Sequence, residues 1–216
     1  LLRLSICFAI MYLFYAIVLR RLTFYNHNRW YLLGYSVLCF IIPLVHFASD
    51  DTGIIYSNVV QMIPVVTVSE VAGTHAASAF DVYQLLGYIF VIGIAVMLAR
   101  LLMQLLAYKK LTSNATIISS IDTVKLYQIN REIVPFSFGN AIFINQDLHD
   151  EAGLKEILQH EFVHVKQKHT LDILWGEILC ILNWYNPFVW LIRRAIRENL
   201  EFIADDKVIQ TGIEKH

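Results

Sequence analysis

Charged residues are scarce in this chain. Asp, Glu, Lys and Arg make up 16% of the 216 residues, whereas hydrophobic residues make up 57%. This balance excludes an ordinary soluble domain, in which about a quarter of the residues are charged, and indicates a membrane protein. The formal net charge of -1 gives no general attraction to polyanions, so we expect no direct nucleic-acid partner.

Cysteine is rare as well. Cys7, Cys39 and Cys180 lie inside apolar runs, without the spacing of a disulfide framework or a zinc ribbon. We interpret them as small core residues. The sequence has no initiator Met and opens directly in an apolar run, so we expect a piece of a longer protein, truncated at its carboxy terminus as well.

Long apolar runs dominate the first half of the chain. Three of them, at about 1–19, 30–48 and 82–108, contain the roughly 20 apolar residues that a helix needs to cross a bilayer. We therefore predict three transmembrane helices in a lipid bilayer. They divide the chain into a transmembrane region, 1–110, and a second domain, 111–216.

Basic residues are unevenly distributed around these runs. Arg20, Arg21 and Arg29 lie between the first two, whereas the loop 49–81 contains no Lys or Arg. A Lys pair follows the third run, at 109–110. The positive-inside rule therefore places the loop 49–81 outside and the chain from about residue 109 onward in the cytoplasm.

The second domain begins with β-like patterns. Short apolar runs at 123–129 and 140–145 flank the turn-rich PFSFG at 135–139 and predict a small sheet. From about Asp150 the pattern is helical, which predicts an α+β domain.

Two further helices are predicted after the first one. The helix that follows Asp150 is expected to include the polar stretch LQHEFVHVKQKH, with His169 near its end. The apolar run 171–192 is then interrupted by Asn186 and Pro187, which are typical of an N-cap and a first-turn proline. We therefore predict two separate helices there, packed on or partly in the membrane.

The polar stretch contains the motif HExxH as His160, Glu161 and His164. Residues four apart lie one turn apart on the same face of a helix, so both imidazoles can bind one metal ion. The Glu beside the first His can then serve as the general base of a metalloprotease. This pattern predicts a zinc hydrolase.

A catalytic zinc site needs a third protein ligand. Thr170 stands where a metzincin would have its third His, so the candidates are carboxylates. Glu201 is favoured because Asp205 follows one turn later and can fix the orientation of a ligand His. Glu198 is the alternative ligand, and Glu177 is left without an assignment.

Three stretches resemble a known family when taken in order: PFSFG, QHEFVHVKQKHTLD and NWYNPFVWLIRRAIRENLEFIADD. Over about 135–208 the chain resembles the peptidase domain of the BlaR/MecR-type sensor-transducers, which are integral-membrane zinc proteases of the gluzincin kind. The resemblance implies Zn²⁺ bound by His160, His164 and Glu201, with Glu161 as the catalytic base. It also implies the inner membrane of a bacterium, with the active site on the cytoplasmic side.

The β-lactam-detecting members of that family have an extracellular penicillin-binding domain after a further span. This sequence contains no SxxK motif and no such domain. We therefore expect a carboxy-terminal sensor, or another module, to lie outside this chain.

The function expected from these patterns is a membrane zinc endopeptidase that acts in signal transduction. Its substrate would be itself or a cytoplasmic regulatory protein, such as a transcriptional repressor, bound in extended form along an edge strand at 140–145. One alternative is a housekeeping membrane metalloprotease of the HtpX/Ste type. Another is a non-catalytic receptor or scaffold with a structural or silent metal site.

Overall fold

The computed structural model describes residues 2–42, 82–121 and 123–213, which are mainly helical with one small sheet. The helices are α1 (Leu2–Ile17), α2 (Tyr25–Ile41), α3 (Val82–Ser113), α4 (Glu151–Lys166), α5 (His169–Leu182) and α6 (Pro187–Ile213). The strands are β1 (Thr116–Ile121), β2 (Val124–Gln128), β3 (Phe136–Phe138) and β4 (Ala141–Ile144).

Two helical stretches in the described part of the chain are long and apolar enough to cross a bilayer. They are Leu2–Arg21 and Val82–Ser113, and they coincide with the first and third predicted spans. The second predicted span, 30–48, is covered by α2 only as far as residue 41. The remainder of that span and the loop 49–81 lie outside the described residues, so the three-span layout remains a prediction.

Helices α1, α2, α5 and α6 share one apolar core. Each contributes side chains that are almost fully withdrawn from solvent, because apolar surface is stabilised when neighbouring helices cover it. These include Phe8, Met11, Leu32, Leu179, Val189, Ile192, Ile196 and Leu200. The amino-terminal helices α1 and α2 are thus packed directly onto α5 and α6.

The break between α5 and α6 lies where the sequence predicts it. Helix α5 ends at Leu182, and α6 begins at Pro187. The Asn186 side chain accepts a hydrogen bond from the backbone N–H of Phe188 at 3.0 Å, as an N-cap does. The predicted split of the apolar run into two helices is confirmed.

Helix α3 is much less covered by the rest of the protein than the four core helices are. None of its residues is buried, and its apolar side chains face outward on all sides. Trp184 approaches it closely, and its indole N–H donates to the Phe90 carbonyl at 3.3 Å. Gly93 permits this approach, because a Cβ there would overlap the indole.

The small sheet that the sequence predicts is present and has the strand order β1-β2-β4-β3. Strand β4 pairs in parallel with β2 and antiparallel with β3, whereas β1 pairs antiparallel with β2. The expectation of an edge strand at 140–145 is therefore wrong. All four β4 residues are buried, which is why this segment is continuously apolar.

The edge beside β4 is formed by β3, within the PFSFG segment. The sequence shows only a turn there, because three residues flanked by Pro135 and Gly139 are too short for an alternating pattern. Phe136 stacks on Phe143 at a centroid distance of 4.9 Å, and this contact holds β3 on the sheet. The Gly139 N–H donates to the Thr170 hydroxyl at 2.9 Å, which joins the end of β3 to α5.

Helix α4 begins with a side-chain cap and ends earlier than the sequence suggests. The Asp150 carboxylate accepts a hydrogen bond from the Gly153 N–H at 3.3 Å. The helix ends at Lys166, and Lys168 has a left-handed conformation with φ of 55°. His169 is therefore not the end of α4, as predicted, but the first residue of α5.

Candidate metal centre

Helix α4 presents His160 and His164 on one face, one turn apart. Their Nε2 atoms lie 3.2 Å from each other. The side chains are 25% and 12% exposed, so both rings are shielded yet remain open on one side. Glu161, between them in sequence, is buried with 8% exposure. The residues of the HExxH motif thus lie on one helix, as their spacing requires.

Helix α6 brings a carboxylate to these two rings. The Oε2 atom of Glu201 lies 3.3 Å from His160 Nε2 and 3.7 Å from His164 Nε2. Donor atoms bound about 2.1 Å from a tetrahedral zinc ion are about 3.4 Å apart, so this spacing fits one such ion. The three residues form a group that could hold a metal ion. Two nitrogens and one oxygen are also the donor set of many catalytic zinc sites.

The second carboxylate on α6 contacts the other nitrogen of the first ring. Asp205 Oδ1 lies 3.1 Å from His160 Nδ1. Glu201 and Asp205 lie one turn apart on α6. Glu201 contacts Nε2 of the His160 ring, and Asp205 contacts Nδ1 of the same ring. A carboxylate in this position can fix the tautomer and the rotation of a ligand His.

The electrostatics of the group favour positive charge. The hydrogen bond to Glu201 raises the pKa of His160, although burial opposes that effect. The hydrogen bonds to His160 and then to His164 hold the pKa of the Glu201 carboxyl well below its usual range. The carboxylate is therefore ionised at neutral pH and attracts a proton or a cation towards the two rings.

The other two candidate carboxylates lie elsewhere. Glu198 pairs with Arg194 at 2.8 Å and with Arg20 at 3.4 Å, so it is not part of the group. The charged residues on the inner side of α5 and α6 form a separate ion pair network, in which Glu177 contacts Arg193 at 2.9 Å and Arg197 at 2.6 Å.

The structure also reveals neighbours of the group that the sequence did not single out. His169, interpreted as a helix-end residue, is fully buried, and its Nδ1 lies 2.8 Å from Nδ1 of His164. Burial lowers its pKa to about 3, so the ring is neutral. The left-handed residue Lys168 places it there, and no sequence pattern indicates that turn. The proximity of His169 to the motif is the one feature of the sequence that could have indicated its position beside His164.

Asp172 and Arg29 form a second part of this environment. Arg29 Nε lies 2.7 Å from Asp172 Oδ2, and both side chains are largely buried. Burial raises the pKa of Asp172, and the nearby guanidinium opposes that shift. From the sequence alone, Asp172 is equally consistent with a solvated helix start and with a site role, and Arg29 is only one of the basic residues between two apolar runs.

The described residues thus form a mainly helical chain with one small sheet and a His–His–Glu group that could hold a metal ion. The chain belongs to the BlaR1 peptidase M56 family, whose family model matches residues 1–216. This finding confirms the resemblance to the BlaR/MecR-type peptidase domain.

Two curated relatives support the same assignment. The regulatory protein BlaR1 of Bacillus licheniformis is 27% identical over 149 residues, which cover 57% of this chain and 24% of the relative. The regulatory protein BlaR1 of Staphylococcus aureus is 38% identical over 56 residues, which cover 26% of this chain and 10% of the relative. The chain thus aligns with about a quarter or less of these relatives.

Proposed function

We propose that this chain is an integral-membrane zinc endopeptidase that acts in signal transduction. The observation that carries the proposal is the convergence of His160, His164 and Glu201 from two helices at distances that fit one tetrahedral ion. Membership of a peptidase family supports the hydrolytic assignment.

Each residue of the site has a distinct role in the proposed reaction. His160, His164 and Glu201 hold the ion, and Asp205 accepts the Nδ1–H of His160 and keeps that ring oriented. Zinc, when bound, acts as a Lewis acid on the scissile carbonyl and makes the attacking water more acidic. Glu161 accepts the proton of that water and transfers it to the leaving amine.

The substrate is proposed to bind in extended form along β3. Strand β3 is at the edge of the sheet, and its outer side is free of strand partners in the described chain. Helix α4 packs beside β3, so a peptide added to this edge would run close to the two histidines. Main-chain hydrogen bonds to an edge strand can bind different sequences, since side chains contribute specificity separately.

Helices α1 and α3 are proposed to cross the bilayer. Apolar side chains that face outward on all sides of α3 suit a lipid environment, as does its length of 32 residues. The basic ends of these helices support a cytoplasmic active site. Arg20 follows α1 and contacts α6, and Lys109 and Lys110 lie in the part of α3 that leads into the sheet. The membrane would be the inner membrane of a bacterium.

The substrate is proposed to be a regulatory protein in the cytoplasm, such as a transcriptional repressor, or a second site within the protein itself. The names of the two relatives describe them as regulatory, and that word is the support for this part of the proposal. A sensor or another module outside this chain would supply the signal.

The proposal is tested with Glu161→Gln in the purified, detergent-solubilised chain. We expect the variant to retain one zinc per chain but to lose more than about 100-fold of its cleavage rate, because general-base catalysis contributes roughly 10²- to 10⁴-fold. Zinc is measured by elemental analysis, and cleavage with labelled casein and by mass spectrometry of the chain itself.

Glu156→Gln is the matched control, since it removes an exposed carboxylate from the same helix. It should behave like the parent. A parent chain without zinc, or equal cleavage by the parent and Glu161→Gln, would contradict the proposed function.

A further inference from the structure

His164 has a second hydrogen-bonding partner, which is His169 at the start of α5. Their Nδ1 atoms lie 2.8 Å apart, and His169 is fully buried. Because one of the two nitrogens must donate the hydrogen and the other must accept it, the contact fixes the tautomers of both rings together.

The position of the metal group decides the direction of this bond. His164 Nε2 faces His160 Nε2 at 3.2 Å and Glu201 Oε2 at 3.7 Å, so Nε2 is the atom available to an ion. A metal-binding nitrogen uses its lone pair, so the hydrogen of His164 must be on Nδ1. His169 Nδ1 is then the acceptor, and the hydrogen of His169 must be on its Nε2.

Gln167 accepts that second hydrogen. The His169 Nε2 atom lies 3.3 Å from Oε1 of Gln167. Because an amide oxygen can only accept, this contact requires the same tautomer of His169 that the metal group requires.

Arg29 on α2 fixes the orientation of the amide. Its guanidinium donates to Gln167 Oε1 at 3.2 Å and to the Gln167 carbonyl at 2.9 Å. Arg has no acceptor atom, so it holds the amide with the oxygen towards both Arg29 and His169. Asp172 balances the buried positive charge of Arg29 at 2.7 Å.

We propose that His169 is a positioning residue that holds His164 in the Nδ1–H tautomer with Nε2 directed at the metal, and that Arg29 sets the direction of this network from α2. The inference rests on the proposed zinc site. It gives His164 a hydrogen-bonding partner, as Asp205 is for His160. It also links the amino-terminal helix α2 to the ion.

The test compares three substitutions of His169 in the full chain. His169→Phe replaces the imidazole with a phenyl ring and so removes both nitrogens. His169→Asn places an acceptor near the former Nδ1, whereas His169→Gln places its amide near the former Nε2 and provides no acceptor for His164. Zinc affinity is measured by competition with a chelator of known affinity, and the ligand field is measured from the visible spectrum of the Co²⁺ form.

We expect His169→Phe and His169→Gln to weaken zinc binding by about 10- to 100-fold and to alter the Co²⁺ spectrum, as loss of a partner of a ligand His does. His169→Asn should stay near the parent. If His169→Phe does not fold, the comparison of Asn with Gln still decides, because both place an amide in the same buried space.

The contribution of Arg29 is tested with Arg29→Met made together with Asp172→Asn, so that no buried carboxylate loses its partner. Weaker zinc binding is expected, and unchanged affinity would overturn the role of Arg29.

If the parent binds zinc and His169→Phe equals it in affinity and spectrum, the proposed role of His169 is overturned while the proposed function stays intact. A parent that binds no zinc would contradict the proposed function itself.

Discussion

His169 shows how a single residue acquires its properties from a fold. Five positions after His164 it would lie on a different face if α4 simply continued. The left-handed backbone at Lys168 instead turns the chain, so that the ring of His169 is buried beneath the ring of His164. A neutral imidazole results, because burial would leave a charged ring without hydration, and this effect outweighs the attraction of the Glu201 carboxylate.

This burial predicts a pH dependence of stability. His169 has a folded-state pKa of about 3 and an ordinary pKa near 6.5 when unfolded. Between these values the unfolded chain binds a proton that the folded chain does not, so stability falls as the pH falls from about 6.5. The slope contributed is at most about 1.4 kcal/mol per pH unit.

The measurement is thermal unfolding of the zinc-free chain at pH 7, 6 and 5. His169→Phe should lose less stability on acidification than the parent, whereas His27→Gln, which changes an exposed His, should follow the parent. The difference between chains is used because the raised pKa of His160 acts with the opposite sign. Equal slopes for the parent and His169→Phe would refute this prediction.

Among the described helices, α3 has the least extensive contact with the rest of the protein. It contacts the core helices around Trp184, whose indole lies against Gly93 and donates to Phe90. At its carboxy-terminal end, Tyr108 packs on the sheet residues Phe138 and Phe143. Within the described part of the chain, these two separated contacts hold α3 against the rest of the protein.

We predict that Gly93→Ala destabilises the protein by about 1 to 3 kcal/mol, because the new methyl group must displace the Trp184 indole or push α3 away. Gly87→Ala is the control on the same helix, since nothing lies within 4 Å of a Cβ at that position. Thermal unfolding in detergent and tryptophan fluorescence, to which Trp184 contributes, report the effect. Equal behaviour of the two variants would show that the close contact is not needed.

The helices near the site differ in how far the sequence predicts them. The spacing of His160 and His164 predicts their common face, because a helical period depends only on neighbouring residues. The assignment of Glu201 as the third ligand depended on Asp205 one turn later and on the family resemblance. Nothing in the local sequence indicates which later helix lies against α4. Strand order could not be predicted, because β4 and β3 are distinguished by their partners rather than by their own residues.

The predicted spans show the same limit. Helix α3 is apolar on all sides, so composition alone identifies it as a candidate span. Helix α2 carries Asn28 and Ser36 on its buried face, and Arg29 contacts Gln167 beside the metal group. The sequence shows these polar residues but not their distant partners: the Trp175 indole donates to the Ser36 hydroxyl, and Gln167 accepts from Arg29, both more than a hundred residues later in the chain.

On the scale of the whole molecule, the metal group joins two helices that are separated by α5. Helix α4 supplies two donor atoms and α6 supplies the third. An ion bound to all three stabilises only the folded arrangement, because the unfolded chain does not bring these residues together.

We therefore predict that removal of zinc with a chelator lowers the midpoint of thermal unfolding, and that added zinc restores it. At a free zinc concentration of about 100 times the dissociation constant, the stabilisation is about 2.7 kcal/mol. Glu201→Gln should reduce the shift strongly. Glu198→Gln should leave it unchanged, because Glu198 pairs with arginines and not with the ion group.

Scanning calorimetry or fluorescence in detergent provides the measurement. A shift that survives Glu201→Gln but disappears in Glu198→Gln would identify Glu198 as the ligand and reject the assignment of Glu201.

The ligands are far apart along the chain, and this has a consequence for its synthesis. Glu201 leaves the ribosome 41 residues after His160, and the site cannot assemble until α6 has packed against α4. The nascent chain carries the HExxH motif well before it could hold an ion in the complete site. If the proposed function is correct, the protease therefore stays inactive at least until α6 has been synthesised and has packed against α4.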